Sequence, residues 1–470
     1  MAVAVRNQPS PFRELDLRLL LEGLRREGGT AGDEAALAAL GEELAGEPRE
    51  WARLANEHPP VLRGGEVEFD PAWHALLALG RRERLHVPGS HVARAARFVA
   101  LAQVEQGVGC PLSMTHAAHA IVDVPESWLV GMSMTERQGG SDVRANETEA
   151  HPAGGCEATL HGEKWFCSAP QSDAFLVLAQ APGGLSCYLV ERGDGFAVER
   201  LKAKLGNRSN ASAEIRLDGA RGTLVGEEGR GVATIIEMVV ATRLDCVLGS
   251  TALMRESVAQ ALHWCAGRAA FGRLLAEQPL MQNVLADLCV ETEAATLGAF
   301  RLARAFDRAE PVRRIATAVL KYWVCKRTPA VVGEALECLG GNGYVDDDSD
   351  LPRLHRENPL NAIWEGASNV QCLEVLRALR REPEGAEAFL AELEERDRRA
   401  VERALAAADE ASARRLVETM AVALQASLLD RHADEATAAA FRARDGFGAF
   451  GTLPQRLPLA QIVERSLPPS

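Results

Sequence analysis

The length and charge of the chain limit the classes of protein to which it can belong. It has 470 residues, a formal net charge of −14, 47% hydrophobic residues and 25% charged residues, which is ordinary for a globular protein of two or more domains. Such an acidic chain is poorly suited to coating nucleic acid over its whole surface, although a local basic patch is compatible with this charge.

The hydrophobic and cysteine patterns exclude further classes. No secretory signal is visible at the N-terminus, and the uncharged stretches are broken by glycine or proline, so no membrane span is indicated. The ten cysteines include no CxxC pair, which argues against a zinc site and a disulfide framework. We therefore expect a protein of a reducing cytoplasm.

The periodicity of apolar residues changes along the chain. Helical spacing extends from about residue 12 to 119, a β pattern follows from about 157 to 226, and helical spacing returns from residue 231. In the β region, AFLVLAQ and LSCYLVE flank a turn at APGG, which predicts a hairpin, and ATLHGEKWFCS and SAEIRLDG predict further strands. Long helices are predicted at 232–264, 281–307 and 311–339, with a spacing typical of an antiparallel bundle.

These patterns predict four consecutive segments. They are an N-terminal helical domain (1–130), a middle β domain (131–230), a helical bundle (231–383) and a helical C-terminal extension (384–470). The fold class is α+β and mostly α. We expect the α domain, the β domain and the bundle to meet at a cleft, and clefts between domains are favoured ligand sites.

A glycine-rich stretch, MSMTERQGGSD (132–142), opens the middle segment. Gly139 and Gly140 permit backbone angles and a close approach that a Cβ would forbid, and Thr135 and Ser141 offer hydroxyl donors and acceptors. Taken alone, the stretch predicts only a tight surface turn. A bare backbone of this kind is also suited to contact with phosphate groups.

Five stretches, in chain order, resemble the acyl-CoA dehydrogenase family of flavoproteins, and in particular its AidB-like branch, which is associated with the adaptive response to alkylation damage. They are MSMTERQGGSD (132–142), KWFCS (164–168), RAAFG (268–272) followed by Gln278 and Gln282, LGGNGY (339–344) and IWEGASN (363–369). The resemblance covers about residues 50–380. It implies an acyl-CoA dehydrogenase-like fold with an N-terminal helical domain, a middle β-barrel domain and a C-terminal four-helix bundle, to which the helical extension is added.

The resemblance also implies a catalytic base. Family members remove a proton from the α-carbon of an acyl thioester while a hydride leaves the β-carbon for the flavin, and Glu365 matches the position of the family's base. We expect the neighbouring Ile363 and Trp364 to desolvate its carboxylate in part, which would raise its pKa toward the operating pH. The alternative is a surface glutamate that caps the following helix.

FAD binding is implied for residues of all five stretches. Thr135, Gly140 and Ser141 match the loop that hydrogen-bonds the flavin ring and contacts the pyrophosphate. Phe166 and Ser168 match side chains packed on the isoalloxazine, although an aromatic residue on a strand is more often part of a core. The predicted cofactor-binding residues are Met132, Met134, Thr135, Gly139, Gly140, Ser141, Phe166, Cys167, Ser168, Arg268, Phe271, Gln278, Gly340, Gly341, Ile363, Trp364, Gly366, Ala367 and Asn369. No metal site is expected.

Some of these residues are implied to act between subunits, so a homotetramer is expected. Arg268, Phe271 and Gln278 match a segment that in the family reaches the FAD of a neighbouring subunit. Gly340 and Gly341 match a second approach to that nucleotide, although a helix C-cap would use glycines equally well.

One further residue is implied to contact the substrate. Arg243 matches an arginine near the thioester end of the substrate pocket, and an ordinary helix ion pair with Asp245 or Glu237 explains it equally well.

Three features depart from the family pattern. Only residues 120–127 separate THAAHA from WLVGM, so one wall of the substrate pocket should be shortened and the acyl-chain preference cannot be carried over. Ala367 stands where many members have Thr or Ser beside the flavin. Glu337 stands where many members have a Gln facing the FAD of the next subunit.

The C-terminal extension is assigned to DNA binding in the AidB-like branch, and its composition here argues against strong binding. Residues 385–470 contain 11 Arg, no Lys and 14 Asp plus Glu, a net charge of −3. Phosphate contacts need at least a basic face. The candidates for such a face are Arg396, Arg398, Arg399, Arg403, Arg414 and Arg415. A solvated face interleaved with glutamates explains the same residues, so only a weak patch is expected.

Two functional hypotheses follow. The first is an FAD-dependent oxidoreductase that dehydrogenates an acyl-CoA-type substrate and passes electrons to an electron-transfer flavoprotein or a similar acceptor. The second is a flavin-containing DNA-binding or DNA-protecting protein of the alkylation-damage response with weak dehydrogenase activity. A helical scaffold without a cofactor would leave the five flavin-like stretches unexplained.

Overall fold

The structure, a computed structural model, describes residues 9–10, 12–347, 349–444, 446–454 and 456–467. Packing divides them into two compact units. The helical unit comprises the described residues up to Ala45, His91–Gln103 and those from Cys246 onward, and the barrel unit comprises Gly46–Ser90 and Val104–Asp245. This division crosses the four sequence segments, whose boundaries remain predictions.

The elements follow the predicted order of helices, strands and helices. Before the barrel they are α1 (Arg18–Glu27), α2 (Ala31–Leu44), α3 (Glu47–Glu57), β1 (Val61–Arg63), β2 (Glu66–Glu68), α4 (Pro71–Arg82), α5 (His91–Val104) and α6 (Gly109–Ala118). The barrel strands are β3 (Val130–Ser133), β4 (Glu149–Gly154), β5 (Glu157–Ser168), β6 (Ala174–Ala181), β7 (Gly184–Glu191), β8 (Phe196–Leu201) and β9 (Ser212–Val225).

Helices dominate the rest of the chain. The helices are α7 (Gly231–Gly267), α8 (Pro279–Asp307), α9 (Arg313–Cys338), α10 (Leu351–Glu357) and α11 (Ser368–Arg381). A short hairpin of β10 (Ala269–Ala270) and β11 (Arg273–Leu274) lies between α7 and α8. The extension contributes α12 (Pro383–Ala391), α13 (Glu395–Ala406), α14 (Ala413–His432), α15 (Glu435–Arg442) and α16 (Leu459–Arg465).

Local sequence explains several helix starts. Thr30 and Asp33 form a capping box at the start of α2. Asp70 accepts from the N–H of Ala72 at the start of α4, where Pro71 occupies the first helical position. These side chains satisfy N–H groups that have no partner inside the helix.

The strands β3 to β9 form one sheet that closes on itself. β6, β4, β5, β9 and β7 pair in sequence, and β7 pairs again with β6, which completes the ring. β3 adds parallel to β6, and β8 adds antiparallel to β9. The sequence predicts the β6–β7 hairpin, β5 and β9. It does not predict β3, β4 and β8, because these short strands carry glycine, proline or charged residues.

The barrel encloses its own apolar core. Leu160, Phe175 and Ile215 are almost completely buried there, and the rings of Phe175 and Phe196 stack with centroids 5.0 Å apart. Removal of this apolar surface from water is the main force that closes the sheet.

The centre of the helical unit is the pair α8 and α9. These helices pack on each other, α14 packs on both, and α11 packs on α9. The thiol of Cys325 in α9 donates to the carbonyl of Cys246 in α7 over 3.5 Å. α7, α8, α9 and α11 therefore correspond to the predicted bundle, and the predicted fold class is confirmed.

The described residues contain neither a membrane-spanning helix nor a cluster of metal ligands. No helix there is long and apolar enough to cross a membrane. No group of three or more His, Cys, Asp or Glu in that part of the chain is placed to hold a metal ion. The ten cysteines are free thiols.

A buried ionic network attaches the C-terminal extension to α8. Arg444 donates to Asp287 at 2.8 Å and to Glu291 at 2.6 Å, and Arg327 of α9 donates to the other oxygen of Glu291 at 3.1 Å. Burial opposes ionisation of Glu291, but the two guanidinium groups outweigh it and lower the pKa of that carboxyl. The extension is therefore an integral part of the helical unit.

We predict that Arg444→Met lowers the free energy of unfolding by about 3–5 kcal/mol, because it leaves two buried carboxylates short of a partner. Urea denaturation measures the effect. The control is Arg415→Met, an exposed arginine of α14, for which we expect a change within about 0.5 kcal/mol. Equal effects of the two substitutions would contradict the assignment.

Candidate active site

A buried ion pair anchors the glycine-rich loop of the barrel unit. The Glu136 carboxylate accepts hydrogen bonds from Lys164 Nζ and Thr148 Oγ1, each at 2.6 Å, and from the backbone N–H of Glu147 at 2.6 Å. Lys164 also donates to the carbonyl of Leu178 at 2.6 Å. The Lys164 side chain is 0% exposed and that of Glu136 is 8% exposed.

Burial acts on both members of this pair. It opposes ionisation of Glu136, but Lys164 and the hydrogen bonds outweigh it and hold the pKa of that carboxyl below its ordinary value. Burial lowers the pKa of Lys164, and Glu136 opposes that shift. Loss of one partner from such a pair is strongly destabilising, because the other charge stays buried. The pair therefore fixes where the loop begins.

The loop lies beside strand β5. The N–H of Trp165 donates to the carbonyl of Thr135 at 2.8 Å. A Cβ added to Gly140 would lie 2.5 Å from Thr135 Oγ1, so a larger residue would require the Thr135 hydroxyl to move. Gly140 and Ser141 are exposed and Thr135 is half-buried, which leaves bare backbone and a hydroxyl accessible to a ligand. The other predicted residues of the loop, Met132, Met134 and Gly139, are half-buried.

Phe166 lies in a β-bulge that exposes its ring. Between Lys164 and Cys167, β5 has one residue more than its partner β9, and Phe166 has a φ of +58°. This left-handed conformation is rare for a bulky residue and costs about 1–3 kcal/mol. Phe166 is 60% exposed, so the alternative that it belongs to the core is wrong.

The next two residues of β5 differ in accessibility. Cys167 is buried, its sulfur lies 2.9 Å from Ser133 Oγ, and burial raises the pKa of its thiol to about 12. Its side chain therefore belongs to the barrel interior, and only its backbone is available to a cofactor. Ser168 is half-buried and pairs with Ser212 of β9.

Glu365 lies in the loop before α11 of the helical unit, in a strained conformation. Its φ is +58°, and the following Gly366 has a φ of +93°. The residue at the N-cap of α11 is Ala367, so the alternative that Glu365 caps this helix is wrong. Ile363 is 61% exposed, and the indole N–H of Trp364 donates to the side chain of Asn361 at 3.0 Å. Glu365 itself is half-buried.

Two buried polar side chains hold this loop. Lys321 of α9 donates to the carbonyls of Trp364 at 2.9 Å and Gly366 at 2.6 Å. Gln371 of α11 donates to the carbonyls of Glu365 at 3.1 Å and Gly366 at 2.8 Å. Three successive carbonyl groups are thereby bound from two helices.

The C-terminal extension reaches the same loop region. Arg414 of α14 donates to the side-chain oxygen of Asn369 at 2.8 Å. Asn369 and Ala367 are both exposed. Ala367 supplies no side-chain cap to α11, which is the local consequence of an alanine at this position.

The hairpin β10–β11 carries the second strained aromatic residue. Phe271 and Gly272 form its two-residue turn with φ of +52° and +79°, the signs of a type I′ turn. Asn, Asp or Gly normally occupies the first position, yet here it is Phe271, which is 99% exposed. Gln278 donates to the carbonyl of Ala270 at 3.0 Å, and the half-buried Arg268 begins the hairpin.

The glycines after α9 lie on an open surface. Gly340 and Gly341 are exposed, and a Cβ added to either would meet no atom within 4 Å. Gly340 has a φ of +61°, which also suits the C-cap alternative. A hydrogen bond to Cys265 and burial raise the pKa of Cys338, so the end of α9 lies beside the end of α7.

Arg243 is buried on α7 in the barrel unit. Both interpretations, a substrate contact and a helix ion pair, remain open for it.

Sequence reasoning missed the residues that support the two loops. These are Glu136 and Lys164 in the barrel unit and Lys321 and Gln371 in the helical unit. One signal was available, because Lys321 interrupts the apolar run AVLKYWVC and Lys164 occupies an inward position of a predicted strand. A lysine is almost never fully buried unless its ammonium group has partners.

Three of the six arginines proposed for DNA contact are engaged within the chain. Arg398 pairs with Glu402 at 3.0 Å and Arg399 pairs with Glu395 at 2.7 Å, both along α13. Arg414 binds Asn369, as described above. This arrangement fits the solvated-face interpretation.

We predict that Glu136→Gln lowers the free energy of unfolding by about 3–5 kcal/mol, because the buried Lys164 ammonium loses its counter-charge. The matched control is Glu163→Gln, an exposed glutamate that precedes Lys164, and it should have little effect. Thermal and urea unfolding of both variants provide the measurement. If Glu136→Gln is as stable as the control, the buried pair does not anchor the loop.

Comparisons with known proteins agree with this architecture. Family models match the N-terminal domain of the adaptive response protein AidB over residues 7–134, the middle domain of acyl-CoA dehydrogenases over 131–220 and their C-terminal domain over 229–380.

Three known proteins illustrate the similarity. AidB of Escherichia coli (strain K12), whose name classes it with the acyl-CoA dehydrogenases, is 42% identical to this chain in an alignment of 435 residues. The match covers 80% of this chain and 80% of AidB. The crystal structure of Caenorhabditis elegans ACDH-11 in complex with C11-CoA has a TM-score of 0.83 and 25% identity over 99% of this chain and 93% of that chain. Mitochondrial isovaleryl-CoA dehydrogenase of Oryza sativa subsp. japonica is 27% identical over 53% of this chain and 63% of its own length. With all three domains matched in order, the chain belongs to the acyl-CoA dehydrogenase family of flavoprotein oxidoreductases, in its AidB-like branch.

Proposed function

We propose that this protein is an FAD-dependent acyl-CoA dehydrogenase in which Glu365 removes the α-proton of an acyl thioester. The observation that carries the proposal is the conformation of Glu365. A left-handed φ at a non-glycine residue is unfavourable, and it persists here because two helices bind the adjoining carbonyls. Such strain clusters at sites of function.

The barrel unit has the features that FAD binding needs. Gly140 and Ser141 offer bare, exposed backbone N–H groups and a hydroxyl for the pyrophosphate. Thr135 and Ser168 offer hydroxyl groups for the polar edge of the ring, and the exposed ring of Phe166 offers a flat apolar surface. When bound, FAD supplies an acceptor for the hydride that leaves the β-carbon.

The residues around Glu365 prepare the carboxylate for proton transfer. Trp364, whose indole is held by Asn361, and the exposed Ile363 precede Glu365 in the loop and would exclude water from a bound thioester. The carboxylate would receive the proton on one of its oxygens and release it to solvent after the product leaves. Proton transfer to a positioned side chain typically contributes a factor of about 100 to 10,000 in rate.

The exposed aromatic hairpin supports assembly of several copies. Phe271 is 99% exposed in a strained turn, so its ring does not pack within the single chain. We propose that Arg268, Phe271, Gln278 and the bare backbone of Gly340 and Gly341 contact FAD of another copy in a homotetramer. An electron-transfer flavoprotein or a similar acceptor would reoxidise the flavin.

The names of the relatives suggest which acyl-CoA substrates to test. The nematode structure binds C11-CoA, and the rice relative is named for isovaleryl-CoA, so both a long straight and a short branched acyl group are reasonable probes. The short connection at 120–127 is expected to alter one wall of the substrate pocket.

We predict that the purified protein is yellow and that anaerobic addition of C11-CoA or isovaleryl-CoA bleaches the flavin absorbance. Glu365→Gln should keep the bound flavin and lose at least about 100-fold in the rate of bleaching, because the base is missing. The matched control is Glu387→Gln, an exposed glutamate of α12. Full-rate bleaching by Glu365→Gln would refute its role, and a colourless protein that takes up no FAD would refute the proposal as a whole.

The DNA-binding alternative requires a different experiment. Because the extension is acidic and its arginines pair with nearby glutamates, we predict no salt-sensitive gel shift with duplex DNA at about 50 mM salt. A double variant, Glu395→Gln and Glu402→Gln, removes the acidic partners of Arg399 and Arg398 and tests whether these arginines bind DNA once they are uncovered. A shift by the unmodified chain that disappears on replacing the arginines of α13 with glutamine would favour DNA binding.

A further inference from the structure

The peptide that carries Glu365 is bound by a fully buried ammonium group. Lys321 is 1% exposed within α9, and its Nζ lies 2.9 Å from the carbonyl oxygen of Trp364 and 2.6 Å from that of Gly366. Two carbonyls that are two residues apart converge on one cation, so the residue between them, Glu365, is held on both sides.

The conformation of the loop depends on this contact. Glu365 and Gly366 are consecutive residues with positive φ, +58° and +93°. The first of these angles is costly for a residue with a Cβ, by about 1–3 kcal/mol. Gln371 adds hydrogen bonds to the carbonyls of Glu365 and Gly366, and it is also completely buried. The strain is therefore balanced by four hydrogen bonds from two side chains.

The charge of Lys321 has no other evident use. Both hydrogen-bond partners of its ammonium group are carbonyl oxygens, and no carboxylate of the described residues forms an ion pair with it. An ammonium group in the interior is expensive unless it is hydrogen-bonded, and loss of the donor would remove the hydrogen bond to Trp364 and one of the two to Gly366. Within the described residues, both hydrogen bonds of the Lys321 ammonium group therefore go to this loop.

We propose that Lys321 is a positioning residue for the base, and that it acts through the backbone by holding the Glu365 peptide in its left-handed conformation. This inference rests on the proposed role of Glu365 in proton removal. A base must be placed to within about 0.5 Å of its productive position to act efficiently. Gln371 assists from α11, and its substitution should have the same effect to a smaller degree.

The test compares Lys321→Met with Lys326→Met, which removes an exposed lysine of the same helix. The first readout needs no substrate: hydrogen exchange of the backbone amides in 360–371, measured on the protein with its flavin bound. The second is anaerobic bleaching by C11-CoA, which gives the rate at saturation and the apparent affinity. Lys321→Met should speed exchange in this segment and lower the saturated rate about 100-fold, the usual cost of a displacement of about 1 Å at a reacting group.

Affinity for C11-CoA should change little, which separates mispositioning of the base from loss of the binding site. Lys326→Met should match the unmodified protein in both readouts. If Lys321→Met does not fold, Gln371→Met provides the test, since it keeps the buried ammonium and removes the two hydrogen bonds from α11.

Unchanged exchange in 360–371 would overturn the inference, and so would faster exchange with an unchanged bleaching rate. Failure of the proposed function has a different signature. In that case the unmodified protein does not bleach, or Glu365→Gln bleaches at full rate, and the exchange comparison still decides whether Lys321 holds the loop.

Discussion

Two ammonium groups buried away from solvent hold the two loops on which the predicted site depends, one loop in each unit. Lys164 lies inside the barrel unit and Lys321 lies inside the helical unit, and both are at most 1% exposed. Each donates hydrogen bonds beneath a loop that carries predicted site residues: Lys164 binds Glu136 of the glycine-rich loop, and Lys321 binds the carbonyls around Glu365. A buried cation without these partners would be strongly unfavourable, so each loop must remain in place for its unit to be stable. In each unit, the hydrogen bonds of one buried lysine therefore stabilise the fold and also hold the loop that carries predicted site residues.

Three of the seven described non-glycine residues with a positive φ are predicted site residues. Phe166 and Glu365 both have a φ of +58°, and Phe271 has a φ of +52°. Each is a predicted site residue, and Phe166 and Phe271 are strongly exposed. Hydrophobic burial does not explain an exposed aromatic ring on a strained backbone, whereas contact with a flat cofactor or with another copy of the chain does.

The sequence predicted the fold class because long-range periodicity and five ordered motifs carry that information. The β6–β7 hairpin and the three long helices of the bundle were visible as patterns of apolar residues. The closure of the barrel was not, because it depends on pairing between strands that are distant in the chain, such as β7 with β9. The motifs predicted residues that would contact a ligand, but they did not predict Lys164, Lys321 or Gln371. These residues contact only other parts of the chain, so their role appears only when the partner loops are placed in space. The sequence also did not predict the ion pairs that attach the extension to the bundle, such as Arg444 with Asp287. Sequence patterns give the number of charged residues but not which of them pair.

The most direct measurement is a crystal structure of the protein with FAD bound. The account predicts that the isoalloxazine lies against Phe166 and the Thr135 loop, with Lys164 still paired to Glu136 and Lys321 still bound to the carbonyls of Trp364 and Gly366. A flavin bound elsewhere, with Phe166 in solvent and the Glu365 peptide in an ordinary right-handed conformation, would contradict it.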